Sequence, residues 1–103
     1  MDIFIFPGKL GLGTKVRIAR VGRHWTQADL ASQADVVQSL VSALERDLTI
    51  YAGAEIRILQ CLGLLSDGIE RYQKLSETYK DTPRLVALFE KRRKRLEVCM
   101  REG

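Results

Sequence analysis

The sequence is poor in the residues from which sites of covalent chemistry are built. Its 103 positions hold one histidine, two cysteines, two prolines, one tryptophan and 7% aromatic residues. Cys61 and Cys99 lie far apart, without the paired spacing of a zinc site, and two cysteines make no disulfide framework. They read as reduced, buried thiols. His24 has no acidic or cysteine cluster beside it in sequence, which argues against a metal or catalytic role. Tyr51, Tyr72 and Tyr79 are too scattered to form a base-stacking platform. The spacing Gly8-x-x-Gly11-x-Gly13 lacks the Lys-Ser or Lys-Thr and the βαβ setting of a phosphate loop. No nucleophile, acid and base combination emerges, so the expectation is a non-enzyme with no cofactor and no metal.

Long apolar runs are missing too. None approaches the roughly 18 to 20 residues that cross a bilayer, and Met1-Asp2-Ile3-Phe4-Ile5-Phe6 lacks the basic start of a signal peptide. The expectation is a cytoplasmic protein without a membrane partner. Hydrophobic residues at 46% and charged residues at 29% are globular values, and a chain of this length builds one compact core.

The net charge of +4 is unevenly placed. Between Thr14 and Leu64, six basic residues face five acidic ones, so that region is almost neutral. From Arg84 onward, seven basic residues face three acidic ones. The C-terminal tail is therefore the electrostatic pole. Such a pole attracts nucleic acid or an acidic protein face, or it forms a solvated helix surface.

Ile3 to Phe6 reads as a short strand or extended arm ended by Pro7-Gly8. From Thr14 to Gly22 the pattern becomes helical. Thr26-Gln27-Ala28-Asp29 has the form of a capping box and starts a second, short helix that runs to about Gln33. A third helix is expected from Val37 to Arg46, a fourth from about Ala54 to Leu62, and a fifth from about Ser66 to Tyr79. Asp81-Thr82-Pro83 opens a last helix with Leu85, Leu88, Phe89, Leu96, Cys99 and Met100 along one side. The expected organisation is an arm over 1–13, a helical body over 14–80 and a C-terminal helix over 81–103.

The segment Trp25-Thr26-Gln27-Ala28-Asp29-Leu30-Ala31, followed by Val36-Val37-Gln38-Ser39-Leu40-Val41-Ser42-Ala43-Leu44-Glu45-Arg46, resembles the Cro and phage-repressor family of helix-turn-helix DNA-binding domains. The resemblance runs over roughly Leu12 to Tyr72. It implies an all-α fold: a five-helix lambda-repressor-like bundle, here with an N-terminal arm and an extra C-terminal helix. It further implies that the second helix crosses the DNA backbone while the third enters the major groove by its N-terminal end. Under that resemblance Gln38 and Ser39 face bases, with Leu40, Ser42 and Ala43 as further candidates, and Gln27 meets a phosphate. Lys15, Arg17, Arg23 and Arg46 are the other candidate backbone contacts. Arg20 and Glu45 match a structural ion pair between the first and third helices.

Three positions depart from the family pattern. Asp35 and Asp47 stand where glycine is usual, and Val37 replaces the serine or threonine that caps the third helix. The function expected is a sequence-specific transcriptional regulator of phage-repressor or bacterial type. It would bind double-stranded DNA as a homodimer on a pseudo-palindrome, joined through the C-terminal helix or the arm, and the C-terminal helix is the preferred interface. The alternative is a protein-interaction module, antitoxin-like or an accessory regulator, on the same scaffold.

Overall fold

The computed structural model describes residues 11–102, and they are all-helical, with six α-helices and no strand among the described residues. These are α1 (Leu12–Gly22), α2 (Gln27–Ala34), α3 (Gln38–Glu45), α4 (Ala52–Leu62), α5 (Leu65–Thr78) and α6 (Pro83–Glu102). The strand expected at Ile3 to Phe6 falls outside the described residues. Leu12 and Gly13, assigned to the arm from sequence, instead form the buried first turn of α1.

Local chemistry sets several of these boundaries. The start of α1 has no capping side chain of its own, but the Gly13 N–H donates to Asp47 Oδ1 at 2.8 Å, so a distant carboxylate caps the helix. A side chain at Gly13 would place its Cβ 2.4 Å from the Glu45 carbonyl oxygen, and only glycine lets α1 approach the end of α3 this closely. The capping box of α2 forms as the sequence predicts. The Asp29 N–H donates to Thr26 Oγ1 at 3.0 Å, and the Thr26 N–H donates to Asp29 Oδ2 at 2.8 Å.

The helix ends at Asp35, whose φ of 59° and ψ of 49° lie in the left-handed region. There the Val36 N–H donates back to the Ala31 carbonyl at 2.9 Å, closing the turn. Three residues, 35–37, then lead into α3. Helix α4 begins two residues earlier than its apolar spacing suggested and ends at Gly63 with φ of 71°.

A short link joins α5 to α6, so the two pack as an antiparallel hairpin, the most extensive helix pairing among the described residues. The core joins both halves of the molecule. Val16, Leu30, Val41 and Leu44 come from the first three helices, Ile58 and Leu59 from α4, and Tyr72 and Leu96 from the hairpin. Gly68 sits where a Cβ would meet Leu59 and Leu96 side chains at 2.6 and 3.0 Å, which lets α5 press against α4 and α6 together.

The sequence favours the apolar side of α6 as the interface of a homodimer. Its own domain covers much of it. Leu96 is fully buried, and the Phe89 ring stacks on Tyr72 with centroids 6.0 Å apart. Leu88, Val98 and Met100 remain exposed. No helix among the described residues is long and apolar enough to cross a membrane.

Candidate nucleic-acid interface

Helices α2 and α3 are each eight residues long, too short to persist alone, and apolar packing holds them. Leu30 and Ala31 on α2 and Val41 and Leu44 on α3 are buried against one another and the core. This fixes which side of α3 is left outside. Gln38 and Ser39 are exposed at its N-terminal end, next to Val37, while Leu40, Ser42 and Ala43 are half-buried. Of the five expected base contacts, the structure thus leaves Gln38 and Ser39 open to solvent and partly covers the other three.

The ion pair between α1 and α3 is present. Arg20 Nε donates to Glu45 Oε2 at 2.6 Å and Nη2 donates to Oε1 at 3.2 Å, a two-pronged arrangement in which the carboxylate is only 3% exposed. Arg20 Nη1 also donates to the Trp25 carbonyl at 2.8 Å, so the same guanidinium holds the α1–α2 connection. The Gln27 amide donates to Glu45 Oε1 at 3.1 Å, and Arg17 Nε lies 3.7 Å from the same oxygen. Gln27 is therefore held from below at the start of α2. Arg17 keeps two thirds of its side chain in solvent beside it.

The remaining expected backbone contacts are dispersed. Arg23 lies over the Trp25 ring, 5.7 Å from its centroid, and donates to the Ala19 carbonyl. Arg46 donates to Ser42 O at the end of α3. Lys15 is placed apart from this group, ion-paired to Asp67 of α5 at 2.8 Å in a cleft of about 260 Å³ between α1 and α5.

Both aspartates that depart from the family pattern carry structural tasks. Asp35 terminates α2 in a left-handed conformation, which aspartate tolerates better than most residues, and Arg57 donates to its carbonyl at 3.2 Å. Asp47 is also left-handed, with φ of 62°, and caps α1. Val37 caps nothing with its side chain and is 63% exposed.

A second buried carboxylate, Glu55, is one that no sequence motif marks. Glu55, in the first turn of α4, is 1% exposed and accepts from the Tyr72 hydroxyl at 2.6 Å. Arg92 Nη1 and Arg71 Nη1 approach its two oxygens at 3.5 and 3.7 Å. Arg92 also donates to the Ile50 carbonyl, and Arg71 donates to the Asp47 carbonyl at 3.2 Å. Burial, then the Glu55 charge, pushes the Tyr72 pKa from 10.0 to about 12. The sequence did contain a signal. Glu55 shares the helical face of Ile58, Leu59 and Leu62, and Arg92 interrupts the apolar stripe of α6, so opposite charges sit on two core-facing stripes.

No protein-family model, no curated protein and no solved structure matches the chain.

Proposed function

We propose that the chain is a sequence-specific DNA-binding regulator that acts as a dimer on a pseudo-palindromic site, using α2 and α3 as a helix-turn-helix pair. The observation that carries this reading is the exposure of Gln38 and Ser39 at the start of α3, while Val41 and Leu44 anchor the same helix in the core. A short helix rooted by its apolar side and open at its N-terminal end presents small polar groups to a groove. A glutamine amide pairs with adenine through two hydrogen bonds, and the neighbouring small residues suit thymine methyl groups. Arg17 and the start of α2 at Gln27 supply the adjoining phosphate contacts.

The test is a selection from random duplex DNA by the purified chain at two salt concentrations, with its oligomeric state measured by light scattering. Enrichment of a two-fold symmetric motif with half-sites about 34 Å apart is expected. The double variant Gln38→Ala with Ser39→Ala should lose about 1–3 kcal/mol of discrimination at each base it no longer reads, at unchanged stability because both residues are exposed. Equal binding to all sequences, or none, overturns the reading.

One observation favours a protein-interaction module instead. Val37, Leu48 and Tyr51, around α3 and its link to α4, are 63%, 48% and 58% exposed and present apolar surface rather than positive charge. A partner protein captured through these residues, with the Gln38 and Ser39 double variant binding it undiminished, would support that reading.

A further inference from the structure

The basic run of α6 does not act as one unit. Arg92 points inward to Glu55 and the Ile50 carbonyl, and Arg93 is held by Glu97 at 2.9 Å and Glu90 at 3.5 Å on its own helix. Lys91, Lys94 and Arg95 are exposed and make no ion pair among the described residues, and of these Lys91 and Arg95 border the groove towards α4. Four residues apart, they share one side of the helix with Arg84 and Leu88. Arg84 is likewise exposed.

This stripe has a fixed neighbour. The Arg92 bond to Ile50 ties the middle of α6 to the segment that leaves α3, and Lys91 and Arg95 border a shallow groove whose other wall includes Ala52, the first residue of α4. The outward cations thus lie along the chain that follows α3. Over residues 17–47, which hold α2 and α3, four basic residues (Arg17, Arg20, Arg23 and Arg46) are matched in number by four acidic ones (Asp29, Asp35, Glu45 and Asp47). The surplus of positive charge is on α6 instead, where seven basic residues face three acidic ones.

We infer that Lys91 and Arg95 bind the sugar-phosphate backbone of duplex DNA beside the segment reached by α3, and that Arg92 and Arg93 take no part except as structural anchors. This assignment rests on the DNA-binding reading above and adds to it the residues that supply its electrostatic share. Charge complementarity selects the occupant. From Arg84 to Arg95 this side of the helix carries three cations and no acidic residue, the one carboxylate in register being Glu102 at its far end, and a duplex is the polyanion with the densest regular charge.

The experiment measures binding of the full chain to a non-specific duplex of more than two helical turns by fluorescence anisotropy across a salt series. Lys91→Gln with Arg95→Gln should flatten the slope of log K against log salt by about 0.9 for each phosphate left without its cation, hence about two units per protomer. The charge-matched control Lys80→Gln with Lys94→Gln keeps Lys91 and removes the two other cations of the groove that it borders on its far side, along Pro83, Val86 and Glu90, and should leave the slope unchanged. Circular dichroism melting of both variants checks that each keeps its fold.

Equal flattening in the two variants would make the effect one of net charge and overturn the assignment. So would an unchanged slope in both, including the case where poly-glutamate or anionic vesicles bind through the stripe instead. Failure of the unaltered chain to bind any duplex overturns the DNA-binding reading itself, which keeps the two failures distinct.

Discussion

Two carboxylates ten positions apart in the sequence, Glu45 and Glu55, organise the two halves of the molecule in different ways. Glu45 ends α3 and gathers Arg20, Gln27 and Arg17, of which Arg17 remains mostly in solvent. Glu55 lies at the meeting of α4, α5 and α6, where Tyr72, Arg71 and Arg92 enclose it and each arginine side chain is 16% exposed. The first is a clasp at the edge of the candidate DNA surface. The second is a buried junction. Both carboxylates are covered, but Arg17 beside Glu45 keeps water as an alternative partner, whereas the groups around Glu55 depend on one another for most of their solvation.

That difference is open to measurement. Glu55→Ala has the largest expected effect, a loss of about 3–5 kcal/mol in urea unfolding, because it leaves two cations and a hydroxyl buried without their acceptor. Glu45→Ala should cost less, about 1.5–3 kcal/mol, since Arg17 already has two thirds of its side chain in solvent. If the two substitutions cost the same, the contrast between clasp and junction fails.

Tyr72→Phe tests the junction more finely, at about 1.5–3 kcal/mol at neutral pH, the range for a hydrogen bond to a charged group. It also carries a pH signature. The folded state raises the Tyr72 pKa from 10.0 to about 12, so it holds the phenolic proton more tightly than the unfolded chain does. The linked stability is complete below pH 10 and lost as the pH rises through about 12. Unfolding curves recorded across that interval should show the unaltered chain losing its advantage over the Phe variant. A constant difference would remove Tyr72 as the titrating group.

A parallel contrast holds for positive charge. Around α2 and α3 the cations are few and offset, while α6 carries a surplus that the fold divides between inside and outside. Sequence counting treats Lys91 to Arg95 as one basic run. Helical geometry separates them, because residues one position apart diverge by about 100° around the axis. Arg92 faces the core with Leu96 and Phe89, while Lys91 and Arg95 face solvent.

Much of the helical framework was legible beforehand because its signals are local. The capping box at Thr26 and Asp29, the turn at Asp35, the stop at Gly63 and proline at the first position of α6 depend on contacts within a few residues. Helix ends defined from afar were not legible. The start of α1 lies two residues before its apparent start in the sequence because its cap comes from Asp47, and α4 starts at Ala52 with no capping side chain at Tyr51 to mark it. Gln38 and Ser39 stood out through a resemblance, and their exposure follows from the burial of Val41 and Leu44 on the opposite side of α3.

By itself the sequence determined the helical class, the alternation of helices and turns, and the excess of charge at the C-terminal end, since propensity, capping and composition act over short distances. Only the tertiary structure decided that Glu55 lies in the core, that Arg71 and Arg92 converge on it, that Asp47 caps α1, and that α6 lays its apolar side on its own chain. Each of those outcomes joins residues more than 15 positions apart. Whether a charge is buried or exposed depends on what the fold brings against it, and that information is not carried by any stretch of sequence taken alone.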